Sequence, residues 1–227
     1  HQPANTVQGA LQLMYELQQI LAELTGLSGT TLAPMAGAEG EFTGLLMARA
    51  YHLSNGDKKR DKVLIPDSAH GTNPASAAMS GFKVLTIPTD EEGNTDLAAL
   101  DALVDDTVST FMMTQPSTLG LFDTNVESIT QLIRGRGGII YGDGANLNAL
   151  LGRVKLGDLG FDIVHSNLHK TFTQPHGGGG PGAGAVMVSE RLLPFLPTPV
   201  VEVKTCCEDN KYVFRTPPKS IGKMGAF

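Results

Sequence analysis

The stretch Ser166-Asn-Leu-His-Lys-Thr-Phe-Thr-Gln-Pro-His-Gly-Gly-Gly-Gly-Pro-Gly-Ala-Gly184 sets one lysine, Lys170, among hydrogen-bonding residues. His169 stands beside it, His176 follows closely, and four glycines run from 177 to 180. A backbone without side chains can bend tightly or lie against a flat ligand, so the lysine faces open space. Such a lysine is either a solvated surface charge or a Schiff-base lysine, whose amine becomes nucleophilic once desolvation or a neighbouring cation weakens its hold on the proton. The choice depends on what the rest of the chain brings to it.

Upstream, Ile139-Ile140-Tyr141-Gly142-Asp143-Gly144-Ala145-Asn146 is a short apolar run ending in an acid. That is the pattern of a buried parallel strand at its carboxyl end, where open α/β sheets bind ligands. A strand-end aspartate alone is read as a turn or helix cap. With Lys170 placed 27 residues on, the pair acquires a joint meaning. Pyridoxal-phosphate enzymes pair an aspartate with the pyridinium nitrogen and hold the aldehyde on a lysine.

The same alternation extends through the chain. Apolar residues at Val7, Ala10, Leu11, Met14, Leu17, Leu21 and Leu24 predict a helix over 6–24, stopped by Gly26. A short strand over 30–33 follows, then a small-residue turn into a second helix over 39–52. Such a turn offers unpaired N–H groups and a positive dipole end to a phosphate, with Ala38, Glu39 and Gly40 the candidates. The strand 62–66 delivers His70, either a structural histidine or one stacked on a flat ring. Thr72 and Asn73 read as caps of the next helix. Strands over 82–87, 109–113, 162–165 and 184–188 and helices over 96–104 and 125–134 complete the pattern. The alternation predicts a mainly parallel sheet with right-handed crossovers. Thr118, past the end of the strand 109–113, is a further candidate for reaching the ligand. The segments 194–199 and 204–211 read as surface connection.

Length and composition agree with one large α/β domain: 227 residues, 41% hydrophobic, net charge −6. The acidic balance offers no footprint for nucleic acid. No apolar run approaches the roughly 20 residues of a membrane span, and the start has neither a signal nor a transit pattern, so a soluble, cytoplasmic protein is expected. Cys206 and Cys207 are adjacent, too close for an ordinary staple and without a His or Cys at ligand spacing, so reduced thiols and no metal site are expected.

The runs 67–76 (Asp-Ser-Ala-His-Gly-Thr-Asn-Pro-Ala-Ser), 143–149 (Asp-Gly-Ala-Asn-Leu-Asn-Ala), 167–172 (Asn-Leu-His-Lys-Thr-Phe) and 175–182 (Pro-His-Gly-Gly-Gly-Gly-Pro-Gly) resemble the P-protein family of the glycine cleavage system. The resemblance covers essentially the whole chain, and the tail 215–223 resembles subunit 2 of the two-chain form. It implies a fold-type I PLP-dependent transferase large domain spanning 1–227, with a seven-stranded sheet whose last strand is antiparallel. Residues 190–227 would connect toward a C-terminal domain outside this chain.

It further implies pyridoxal 5'-phosphate held covalently by Lys170, with Asp143 at the ring nitrogen and His70 over the ring. Asn146 would reach the phenolic oxygen, and Asn167 and His169 would lie at the same edge. The family often carries His or Gln where this chain has Glu39, so backbone contact alone is implied there. The implied reaction is decarboxylation of glycine, with aminomethyl transfer to the lipoyl arm of the H-protein. The implied assembly is a hetero-oligomer with P-protein subunit 1, two of each. The rival readings are another fold-type I enzyme, such as a cysteine desulfurase or amino-acid lyase, and a noncatalytic scaffold subunit.

Overall fold

The computed structural model describes residues 2–174, 176, 182–206 and 209–225. The glycine run 177–180 and Cys207 lie outside the described residues.

The first helix, α1 (Gln8–Thr25), buries Leu11 and Leu21 and ends at Gly26, whose φ of 70° is the left-handed cap conformation that glycine adopts without strain. Then come β1 (Gly29–Thr31), α2 (Gly37–Ser54), β2 (Lys62–Pro66), α3 (Thr72–Met79), β3 (Lys83–Ile87), α4 (Leu97–Leu103), β4 (Val108–Thr114), α5 (Val126–Gly135) and β5 (Ile139–Asp143). The chain continues through β6 (Ile163–Ser166), the single turn α6 (Leu168–Thr171) and β7 (Ala185–Val188). Seven strands form one sheet in the order β1-β7-β6-β5-β4-β2-β3. The pairs β3–β2, β2–β4, β4–β5 and β5–β6 are parallel, whereas β7 runs antiparallel to both β6 and β1. The expected seven-stranded, mainly parallel sheet with an antiparallel last strand is therefore present.

Strands β4 to β7 are buried along their length because helices cover both faces, which is why they read as near-continuous apolar runs. Helix α2 lies flush on β5 and β6. A Cβ at Gly44 would come 2.4 Å from the Tyr141 ring and 2.9 Å from Ile163, both fully buried. Gly44→Ala is therefore expected to lower stability by about 1–3 kcal/mol, read as a lower urea midpoint. An unchanged midpoint would show that α2 shifts freely on the sheet.

One segment departs from the sequence reading. Residues 204–211 are not a surface connection: β8 (Val200–Cys206) and β9 (Asp209–Arg215) form an antiparallel hairpin with Val200 opposite Arg215. Two glutamines of α1 grip it, each through both ends of the side-chain amide. Gln18 donates to Val201 O at 2.9 Å and accepts from Val201 N at 3.3 Å; Gln8 does the same with Tyr212 at 2.8 and 2.9 Å. The period-two alternation of Val201, Val203 and Thr205 was the available signal, masked by the charged residues between. The segment 194–199 likewise runs on from a 3-10 turn, Glu190–Phe195, that is tied to the sheet through Arg191 and the buried Asp162.

Candidate active site

The segments at the carboxyl ends of β2, β5 and β6 and the N-terminus of α2 surround a cavity of about 260 Å³. It is lined by Ala36, Gly37, Ala38, Glu41, His70, Thr72, Asp143, Ala145, His165, Asn167, His169, Lys170, His176 and Gly182. Of the residues singled out in the sequence, Ala38, His70, Asp143, Asn167, His169 and Lys170 meet here. Asp143 ends β5, and Lys170 is carried by α6 directly after β6, the strand paired with β5.

Asp143 is 2% exposed and fully engaged on its protein side. Its Oδ1 accepts from Ala145 N at 3.1 Å and lies 3.2 Å from His165 Nε2, and its Oδ2 accepts from Asn73 Nδ2 at 2.9 Å. Burial pushes this carboxyl up, but the neighbouring His165, the Asn73 amide, the Ala145 N–H and His70 outweigh it and hold the group below its ordinary range. It is an anion by construction. His165 is itself buried, with Nδ1 2.9 Å from the Tyr141 hydroxyl, which also reaches Gly40 O at 3.2 Å. Burial, with the nearby Glu41 and Asp143, pushes the Tyr141 phenol well up, so that it stays a neutral hydroxyl.

Asn73 corrects an expectation. It and Thr72 are not caps, since the cap position of α3 is Gly71 and no side chain bonds there. Asn73 is fully buried and joins two loops: His70 N donates to Thr114 Oγ1 at 2.7 Å, Thr114 donates to Asn73 Oδ1 at 3.2 Å, and Asn73 donates to Asp143. Thr72 donates to Glu41 instead, at 2.6 Å. Glu41, His165 and Asn73 escaped the sequence reading. A glutamate in a helix and a histidine in a strand carry no local mark of burial, and only the fold brings them to Asp143.

Lys170 is exposed to the cavity, and its Nζ has no hydrogen bond or ion pair among the described residues. His169 accepts from Ala183 N at 3.1 Å and packs on His176 with ring centroids 4.0 Å apart. Burial, then the neighbouring His176 and Lys170, pushes its pKa down, so it sits beside the lysine as a neutral ring. Asn167 donates to Ala183 O at 2.8 Å and lies against Gly37, where a Cβ would meet it at 2.9 Å.

At the start of α2, Ala36 is extended and no side chain caps the helix. Among the described residues the N–H groups of Gly37, Ala38 and Glu39 have no acceptor, so three donors point outward at the positive end of the dipole. Gly40 N–H is already bonded to Ala36 O at 2.9 Å, and Gly40 instead permits close packing, since a Cβ there would meet Gly184 O at 2.8 Å. The Glu39 carboxylate turns away, accepting from Met35 N and Gly225 N at 2.7 Å each.

Glu39, Gly40, Thr118 and Asn146 lie outside the cavity lining. Thr118 spends its hydroxyl on Ser68 O at 2.8 Å, and Asn146 is exposed beyond the turn that follows β5. Glu41, His70 and Asp143 place side-chain atoms within 4.8 Å of one another, and each is engaged by protein donors or acceptors.

The profile of the aminotransferase class-V family matches residues 43–221. The chain is 53% identical over 227 residues to the probable glycine dehydrogenase (decarboxylating) subunit 2 of Nitrosospira multiformis, covering 99% of this chain and 45% of that protein. It is 54% identical over 224 residues to the protein of the same name from Pyrococcus abyssi, covering 99% and 44%. The chain thus spans under half the length of these curated relatives. Among solved structures it resembles a glycine decarboxylase (P-protein) of the glycine cleavage system in inhibitor-bound form, with TM-score 0.77 and 25% identity over 93% of this chain and 46% of that one. A sphingosine-1-phosphate lyase of Burkholderia pseudomallei shares the fold, with TM-score 0.71 and 15% identity over 95% and 54%.

Proposed function

This chain belongs to the aminotransferase class-V family, and from that premise we propose that it forms the pyridoxal-phosphate site of a glycine-decarboxylating enzyme of the glycine cleavage system. The observation that carries the reading is the meeting of a free amine, a buried anion and an uncapped helix N-terminus around one cavity. The donor set fits the cofactor at three separate points: Lys170 for an aldehyde, Asp143 for a ring nitrogen and the start of α2 for a phosphate. Pyridoxal phosphate, when bound, supplies an aldehyde for covalent attachment and a pyridinium ring that draws electrons from a bond at the substrate's α-carbon.

The chain's own residues set the conditions for that chemistry. Lys170 Nζ, with no competing partner among the described residues, would hold the cofactor through its aldehyde. Asp143 keeps a proton on the ring nitrogen, because its anionic form is fixed by His165 and Asn73 before any ligand arrives. The N–H groups of Gly37 and Ala38 and the end of the α2 dipole receive the phosphate. His70, in the cavity lining, would lie against the ring.

Glycine as substrate is supported by the names of the relatives. Loss of its carboxylate as CO2 would leave an aminomethyl group for the lipoyl disulfide of the H-protein, and "subunit 2" in those names supports a partner subunit 1; two copies of each is the assembly we propose. The test is bicarbonate–glycine carboxyl exchange by the full-length protein with its sister subunit and lipoylated H-protein. Exchange that depends on added pyridoxal phosphate is expected. A cofactor absorbance band without exchange, but with sulfur release from cysteine, would favour a desulfurase, and no cofactor band at all would favour a scaffold.

A further inference from the structure

Thr72 has one hydroxyl proton and two neighbours that claim it. Its Oγ1 is 2.6 Å from Glu41 Oε1 and 2.8 Å from His70 Nδ1. Glu41 is 2% exposed, and its other oxygen accepts from Ser76 Oγ at 2.7 Å. Thr72 Oγ1 donates to Glu41 Oε1, and a buried carboxylate oxygen left without its donor is costly, so the proton of Thr72 goes to Glu41. Nδ1 of His70 then makes its 2.8 Å contact only by donating. The Thr72 N–H also faces Nδ1, but at 3.4 Å it is too long to compete. Asp143, the other charge beside the ring, is satisfied on its protein side by His165, Asn73 and Ala145. Among the described residues Nε2 of His70 has no partner, and the ring lines the cavity.

We propose that Glu41 and Thr72 are positioning residues that fix His70 as its Nδ1–H tautomer, so that Nε2 meets the ligand as a proton acceptor. The line carboxylate, hydroxyl, imidazole orients the ring from behind, as a third group orients a catalytic base elsewhere. The ligand group it suits is an ammonium. A proton passes from the ammonium nitrogen of the incoming amino acid to Nε2, the N–H electron pair stays on that nitrogen, and a neutral amine and an imidazolium result. This consequence rests on the proposed function, whereas the tautomer stands by itself.

The experiment is ¹⁵N NMR of histidine-labelled full-length protein, with and without pyridoxal phosphate, at a pH where the ring is neutral. The His70 signals are assigned by their loss in His70→Gln. Wild-type protein should show a protonated Nδ1 and a lone pair at Nε2. Thr72→Val should turn that single tautomer into a mixture, and Thr72→Ser should restore it. A proton on Nε2 in the wild type, or a Thr72→Val ring unchanged from wild type, overturns the proposal. The wild-type spectrum decides the matter even where Thr72→Val does not fold. Failed glycine exchange with the expected spectrum would count against the reaction alone.

Discussion

Replacing Lys170 with alanine is expected to abolish covalent attachment of pyridoxal phosphate and to cut turnover by ~10³-fold or more, the scale of losing a nucleophile that works as one unit with its surroundings. Among the described residues Lys170 is the one amine in the lining of the cavity, and no other lysine there shares a wall with Asp143. Borohydride reduction of the loaded wild-type protein, followed by peptide mapping, should place the label on Lys170. Label on any other lysine would remove the assignment. Substitution at an exposed side chain with no hydrogen bond leaves the fold intact, so the loss should come without a change in denaturation midpoint.

The second large effect is expected at Asp143→Asn, which keeps the shape and removes the charge. Turnover should fall by about 10²–10³-fold, the usual cost of losing one electrostatic element that was fixed in advance, while the phosphate end still holds the cofactor. The loss extends behind the site, because buried His165 faces Asp143 at 3.2 Å and would lose its anion. There is a pH signature as well. The folded carboxyl lies below its ordinary range, so it contributes stability that is present above the unfolded value and is lost as pH falls through the folded one. Asp143→Asn should therefore flatten the acid limb of the stability profile. Wild-type decarboxylation by the full-length variant would show that the ring nitrogen needs no anion.

Both of these residues were legible in the sequence because each sits where an apolar run breaks, and strand ends are where a parallel sheet gathers its chemistry. The antiparallel β7 came through the resemblance, since periodicity says nothing of direction, and the order of the strands in the sheet came only with the structure. What stayed hidden was the layer behind the ligand. Asn73 reaches Asp143 across 70 residues, and Glu41 takes hydroxyls from Thr72 and Ser76 across 31 and 35. In the sequence, Asn73 has the look of a helix start and Glu41 that of a solvated helix charge. Helix α2 is buried on so many sides, at Gly40, Glu41, Thr43, Gly44, Leu45, Met47, Ala48 and His52, that its polar residues carry no sign of which way they face. The hairpin of β8 and β9 was missed for the opposite reason: its polar residues alternate with apolar ones, but their charge drew the reading toward a loop.

The paired glutamine grips on that hairpin have a bearing on how the chain reaches its native state. Gln18 and Gln8 bind backbone 183 and 204 residues away, close to the greatest sequence separations the chain contains. Contacts of such range form only after the intervening chain has already been shortened by the sheet, since the entropy of closing so long a loop is not recovered by two amide pairs. Docking of α1 on β8 and β9 is therefore a late event, and the reverse is an early one. The amide protons of Val201 and Tyr212, shielded by side chains and not by a neighbouring strand, exchange with solvent each time the two sequence-distant pieces part. They clock a partial opening in which the sheet and the cavity at its carboxyl edge remain assembled.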